Sequence, residues 1–473
     1  MTRQHLADFD TPPATKRSYL RSVAGLLAGT MAAPLAACRP GESTDVTNVT
    51  TRGPSKLQAV TLQWMYGPAA NNDRVRATLE ATAARFPDVY PGPSVETLHI
   101  SDAYYDKLQS MLAAGTPPDL MWMQVREFPA YVLRGDLTLL EPLAKRDRYD
   151  LKDFLEPLVR QYRWGDGQLR GMPWDYGFQA VFYNVSLFRR GGLQVPPNRW
   201  DAKGWTYDDF RVAAEQLTQQ QGDQPPSVYG FVNPTRSYFP WVYANGGRLI
   251  NAENSAGMLD RPEAIGAFQF IRDLMHKHRV SPLPAEFKDT EPIKTFLAGR
   301  SAMLVSAAAT ASTQLRAITG FEWDAAPMPA GPGMKAGARG THGGGSGWVL
   351  AKAGRYPEEA WALMQHITSK ETVTDLARAG WSPPRLSVLD SALWLDPATP
   401  PKAKAVLRDA YKAIVTNPQI LTWDAFITAA NQTLNQLWAD KITATEAGQT
   451  IAQVTRPAID EHNRQVQQGI PSR

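Results

Sequence analysis

The chain holds one cysteine in 473 residues, Cys38. A lone thiol excludes intramolecular disulfides and any metal site built on several cysteines. The fold must therefore stand on buried apolar surface alone. The 436 residues that follow Ala37 exceed what one hydrophobic core usually serves, about 250–300 residues. Two lobes or domains are expected, and the first question is where they begin.

The cysteine lies in "APLAACRPGESTDVTNVTTRGPS" (Ala33–Ser55), with small or apolar residues before it and a polar run behind. Upstream, Lys16, Arg17 and Arg21 form a positive patch, and Ser22–Ala37 is an apolar run of 16 residues. That run is short of the about 20 residues needed to span a bilayer. Charge, apolar run and small residues in this order predict a secretory signal peptide over 1–37. "TKRSYLR" resembles a twin-arginine export signal with Lys16 in place of the first arginine, which leaves the export route open. "LAAC" (Leu35–Cys38) resembles the bacterial lipobox, which implies a diacylglycerol thioether on Cys38 and cleavage before it. Two or more acyl chains, at about 0.8 kcal/mol per buried CH₂, anchor stably where one does not. Residues 38–57, rich in Thr, Ser, Pro and Gly, then read as a flexible lipidated tether.

Charge excludes one class of partner. The chain has 50 Lys+Arg and 46 Asp+Glu. Removing residues 1–37, with Arg3, Lys16, Arg17, Arg21, Asp8 and Asp10, leaves 46 and 44. That near balance gives no electrostatic reason to expect nucleic acid. Aromatic content is the marked feature instead, with 14 Trp and 16 Tyr.

Periodicity predicts an α/β fold. "AVTLQWMY" (Ala59–Tyr66) alternates as a strand, "YYDKLQSMLAAG" places Tyr105, Leu108 and Leu112 on one helical face, and "PDLMWMQ" suits a buried strand. Strand–helix–strand marks a parallel sheet. "YRWGDGQLRGMPW" contains a Gly-Asp-Gly hairpin signal, and "AVFYN" reads as another strand. Thr206 with Asp209, and Thr443 with Glu446, have the spacing of helix N-terminal capping boxes.

Six stretches, in order, resemble the extracellular solute-binding proteins of ABC importers, in the group of maltose-binding-protein-like sugar-binding lipoproteins. They are "YYDKLQSMLAAGTPPDLMWM", "GMPWDYGFQAVFYNVSLFRRGGLQVPP", "WVYANGGRLI", "FLAGRSAMLV", "GGGSGWVLAKAGRYPEEAWALMQHITSKE" and "GWSPPRLSV". The resemblance implies a two-lobed periplasmic-binding-protein (type II) fold with a hinge and an interlobe ligand cleft. It implies lobe one over 58–177 plus 348–382 and lobe two over 178–347 plus 383–473. It also implies a carbohydrate ligand, ABC permease subunits as partners, a monomer without cofactor or metal, and an extracytoplasmic place on the bacterial cell membrane.

A sugar stacks its C–H faces on aromatic rings and needs fixed partners for its hydroxyls. Trp64 and Tyr66 end the first strand on one face. Trp122, Gln124 and Glu127 follow the strand at "LMWMQ", outside whose carboxyl end ligands of open α/β sheets bind. Trp174, Asp175 and Tyr176 give the densest sugar-like chemistry. Tyr238 and Trp241 precede an Asn-Gly-Gly turn. Gly344 and Gly345 allow close approach of the backbone to a ligand. Trp381 suits stacking, while Arg385 suits a hinge tie to a carboxylate or a ligand contact. Each aromatic has an alternative role as core. Trp174→Ala is expected to weaken binding at least tenfold and to leave stability nearly unchanged.

"SAAATAS" (Ser306–Ser312) lacks the Gly-x-Trp that many sugar binders carry there, which opens the site to a larger or different solute. A polyamine, phosphodiester or peptide cargo, or a sensing receptor, stays as an alternative. Anionic cargo would want convergent cations, and Arg126, Arg236 and Arg385 are scattered among tryptophans. Asp175 with Glu127 could be imagined as a glycosidase pair, but no Gly-x-Ser-x-Gly or His-Glu-x-x-His occurs, and an enzyme is not expected.

Overall fold

A computed structural model of the chain describes residues 57–469, apart from 202, 221, 223, 234–236, 287–290 and 336–337. The signal peptide, Cys38, nearly all of the tether and Arg236 lie outside the described residues. Among the described residues eleven strands are formed: β1 Thr61–Tyr66, β2 Ser94–His99, β3 Leu120–Gln124, β4 Met172–Pro173, β5 Gly177–Asn184, β6 Tyr229–Val232, β7 Ser301–Ala307, β8 Trp323–Ala326, β9 Thr341–Gly344, β10 Ser346–Leu350 and β11 Ile414–Thr416.

The strands make two sheets flanked by helices. The first has the order β2-β1-β3-β10-β4. Its opening β1, β2 and β3 are parallel, joined through the helices Asp73–Val89 and Tyr104–Ala113. Asn72 starts the first of these helices, its side chain accepting from the backbone N–H of Arg74 (3.0 Å) and Val75 (3.2 Å). The helix then buries Val75, Leu79 and Phe86 on one face. β10 returns antiparallel to β3, with Trp348 opposite Trp122.

The second sheet has the order β11-β9-β5-β7-β6, with β8 also paired to β5. β5 is buried on both faces, and its alternation decides which core each residue joins. Val181 and Tyr183 enter one core. Phe178, Ala180 and Phe182 enter another. Both capping boxes form: Asp209 N–H donates to Thr206 Oγ1 (3.2 Å), and Glu446 N–H to Thr443 Oγ1 (3.2 Å).

The Gly-Asp-Gly signal makes a turn but no hairpin. The helix Glu156–Gln161 precedes it, and β4 behind it pairs only with β10. The turn closes instead through Asp166, which accepts from the Gln168 N–H (3.0 Å) and both terminal nitrogens of Arg170 (2.6 Å each). Gly165 and Gly167, at φ of 78° and 77°, supply the left-handed backbone that the turn requires.

The chain passes between the sheets over very few residues. Residues 174–176 separate β4 from β5, and Gly345 alone separates β9 from β10.

Candidate functional site

The crossing segments gather most of the candidate residues. Trp64 and Tyr66, both fully buried, meet edge to face with ring centroids 5.4 Å apart. Trp64 meets Trp348 at 5.3 Å, Trp348 meets Trp174 at 4.9 Å, and Trp174 meets Trp381 at 4.6 Å. Four tryptophans thus form one continuous run. Their indole N–H groups are all buried, and none finds a protein acceptor. Burying such a donor unpaired costs about 1–3 kcal/mol. Trp64, Trp174 and Trp348 are packed in the first sheet's core, whereas Trp381 is half-buried at its margin.

Asp175 ties the two crossings together. Its Oδ1 accepts from the Ser346 backbone N–H and from Ser346 Oγ (3.2 Å). Burial pushes the carboxyl up to about 6 against these hydrogen bonds. Tyr176 is buried beside Phe178, with centroids 4.9 Å apart, and its N–H donates to Ser382 O at 3.2 Å. The glycines of "GGGSGW" make room for the protein itself. A Cβ on Gly345 would come within 2.5 Å of Asp175 O, and one on Gly347 within 2.5 Å of Met172 O. Gly344 pairs with Gly177 across the second sheet.

Arg385 is tied to a carboxylate within the protein. It is 7 % exposed. Its guanidinium donates to Asp153 Oδ2 (2.7 Å), Thr368 O (2.6 Å) and Tyr149 Oη (2.9 Å), and lies 4.1 Å above the Phe154 ring. Asp153 also accepts from Ser387 N–H (2.8 Å) and Oγ (2.7 Å). Burial pushes the Asp153 carboxyl up, but its Arg385 and Ser387 bonds together outweigh that and hold it below the usual range.

The remaining candidates stand apart from the aromatic run. Trp122 packs against Tyr104 at 5.3 Å and Tyr105 at 6.1 Å. Gln124 is half-buried at the end of β3, where its backbone N–H donates to Tyr105 Oη (2.8 Å). Glu127 is half-buried and paired with Arg126 (3.1 Å); burial raises its carboxyl. Trp241 is fully buried among Tyr207, Phe210, Phe231 and Phe270, so packing accounts for it without a ligand. Tyr238 sits in the same core beside Phe239 and Phe268, with its hydroxyl unpartnered.

Two groups escape a reading of the sequence. One is a polar chain beside the crossings. Ser237 Oγ donates to Gln179 Oε1 (2.6 Å), Gln179 Nε2 meets His342 Nδ1 (3.4 Å), and His342 Nε2 meets Asn417 Oδ1 (2.7 Å). Burial pushes His342 down to about 4 and keeps it neutral, so a proton on Nε2 fits both contacts. A glutamine within the otherwise apolar "FQAVF" was its one sequence signal. The other is a small hollow, with enclosed room for about one water, lined by Phe178, Ser382, Trp394, Leu407, Arg316 and Lys404 among others. Its rim adjoins the aromatic run through Ser382, the neighbour of Trp381. Among the described residues there is no cluster of His, Cys, Asp and Glu fit to hold a metal ion, and no helix is long and apolar enough to cross a membrane.

Known proteins resemble the chain in sequence and in fold. The erythritol/L-threitol-binding protein of Mycolicibacterium smegmatis is 25% identical over 331 residues, 61% of this chain and 63% of that protein. The chain spans 54% to 63% of the length of the curated relatives it matches. An ABC substrate-binding protein of Listeria monocytogenes, solved with cycloalternan, superposes with a TM-score of 0.71 at 20% identity, covering 85% of this chain and 100% of that one. A Mycobacterium tuberculosis protein solved with glycerophosphocholine gives a TM-score of 0.69 at 18% identity, over 85% and 98% of the two chains. These likenesses show a two-lobed periplasmic-binding-protein fold. The model of the bacterial extracellular solute-binding protein family matches residues 81–405, and the chain belongs to that family.

Proposed function

We propose that the protein is the lipid-anchored solute receptor of an ABC importer, that it binds a carbohydrate or polyol between its two lobes, and that it hands this solute to a membrane permease. The run Trp64–Trp348–Trp174–Trp381 carries the reading. Trp381, at the margin, offers a face for the C–H surface of a sugar, and the three rings behind it fix its plane. The polar chain from Ser237 to Asn417 supplies hydrogen-bonding groups on the second sheet. Relatives named for erythritol and cycloalternan bind solutes of this kind.

The mechanism is binding alone. Solute favours the closed arrangement because only there do both lobes touch it. Asp175 and Gly345 keep the crossings short, which confines the motion to a few backbone torsions. The lobe limits are proposed as 58–177 plus 348–382 and 178–347 plus 383–473.

A thermal-shift screen of the purified protein against polyols and mono-, di- and oligosaccharides is expected to give a saturable rise in Tm with at least one. Silence across that panel would sink the carbohydrate claim. The anchor has its own test. In a bacterial host, Cys38→Ser is expected to move the protein from the membrane fraction to the soluble one. Retention of the serine variant on the membrane would refute lipidation at this thiol.

A further inference from the structure

The open end of the first sheet carries polar groups that the protein itself leaves unpaired. β3 ends at Gln124 and β10 starts at Ser346, and these two residues pair across the antiparallel ladder. Each stands two residues from Trp122 or Trp348, which pair likewise, so all four face the same side. Side chains opposed in this way start about 5 Å apart. Asp175 reaches the same point from the crossing 174–176, through its 3.2 Å contact with Ser346 Oγ. Only one of its carboxylate oxygens is engaged. Oδ1 takes both Ser346 donors, and Oδ2 has no protein partner among the described residues. The Gln124 side-chain amide has none either. Both residues are half-buried, and neither free group is sealed from solvent. Among the described residues no Lys, Arg or His pairs with Asp175. Its titratable neighbour is Tyr162, whose hydroxyl donates to Met123 O at 3.2 Å. Arg126 and Glu127, just past β3, pair with each other.

An ionised carboxylate only accepts, whereas an amide both donates and accepts. Here they stand on either side of Ser346 at the carboxyl end of β3, the place where ligands of open α/β sheets bind. Together they match two neighbouring hydroxyls. One hydroxyl gives its proton to Asp175 Oδ2, and the other takes a proton from Gln124 Nε2. We propose that Asp175 and Gln124 read a vicinal diol of the solute, with Ser346 as the positioning residue that aims the carboxylate. The inference rests on the carbohydrate or polyol reading above, and it adds a hydroxyl pattern to the stacking face. It also ties a proton to the binding step. Burial pushes the Asp175 carboxyl up to about 6, and a hydroxyl donor favours the ionised form. Binding therefore releases a proton near that pH and weakens in acid.

Erythritol, D-glucose and maltose are the probes, titrated into full-length protein by calorimetry at pH 7, 6 and 5. For a probe that binds, affinity is expected to fall severalfold from pH 7 to 5. At pH 6 the heat should vary with the buffer's ionisation enthalpy, as release of about half a proton requires. Asp175→Asn keeps an acceptor for both Ser346 donors. It is expected to bind about tenfold more weakly at pH 7, the usual effect of losing a hydrogen bond to a charged group, and to show a flat pH profile. Gln124→Leu is expected to weaken binding severalfold and to keep the wild-type profile. Ser346→Ala removes one donor to the ionised carboxyl, so the midpoint of the profile should move upward. Ligand-free protein checks folding. The Asp175 carboxyl lies above its unfolded value, so its contribution to stability is lost as pH rises through about 6. The Tm of Asp175→Asn should therefore exceed that of wild type by a margin that grows from pH 5 to 7. A probe bound equally by wild type, Asp175→Asn and Gln124→Leu, or bound with an affinity indifferent to pH, overturns the inference and leaves the carbohydrate reading standing. Wild type silent toward all three probes also overturns it, while the wider sugar panel still decides the carbohydrate reading.

Discussion

Arg385→Met is expected to lower the free energy of unfolding by about 3–5 kcal/mol, the usual effect of removing one partner from a buried ion pair. The guanidinium has three protein acceptors and little solvent to replace it. Its loss strands Asp153 beside Phe154 with only Ser387 as donor. Urea unfolding would measure the loss. Asp153→Asn should cost a comparable amount, and the double variant less than the sum of the two, because neither then leaves an unpaired charge. A loss below about 1 kcal/mol would mean that solvent reaches the pair and that it ties nothing. A pH series adds a sign. The Asp153 carboxyl is held below its unfolded value, so its contribution is present above the unfolded pKa and disappears as acid protonates it. Wild type should therefore lose stability more steeply toward low pH than Asp153→Asn.

Trp174→Ala is the second large effect, and its character differs from the sequence expectation of an unchanged Tm. The side chain is 2 % exposed and wedged between Trp348 and Trp381. Truncating a buried tryptophan costs about 3–5 kcal/mol, as lost transfer energy plus an incompletely collapsed cavity. Binding measured on that variant would confuse fold with function. Trp381→Ala, at the half-buried margin, separates them. It is expected to cost about 1 kcal/mol and to weaken binding of a responding sugar at least tenfold. Unchanged affinity in Trp381→Ala would remove it as a stacking platform, whatever Trp174→Ala does to Tm.

Local patterns were legible in the sequence, and convergences were not. β1, β3 and β5 show in their apolar runs, and both capping boxes in their spacing, because each is settled within a few residues. β2, "SVETLH", was missed: as an edge strand it is only partly buried and lacks a strong alternation. The Gly-Asp-Gly turn was over-read because a hairpin needs a partner strand that local sequence cannot supply. The glycines after His342 read as points of close approach to a ligand, and in the fold atoms of Asp175, Met172 and Tyr162 stand against Gly345 and Gly347. Tryptophans separated by up to 317 positions meet in one run, and nothing in their spacing foretells that. Arg316 and Lys404 are ordinary surface-looking cations in sequence. Only the fold turns them toward one hollow.

The single residue between β9 and β10 bears on how such a chain can change by insertion. Side chains alternate with a period of two along a strand, so one added residue would exchange the two faces of everything that follows. With Gly345 as the sole spacer, an extra residue there has no loop to absorb it. It would carry Trp348 to the opposite face of the first sheet or force β10 to slip against β3. Length variation among descendants of this gene should therefore collect in the peripheral loops and avoid positions 344–346. A reporter domain spliced into the protein to follow solute binding should avoid them as well.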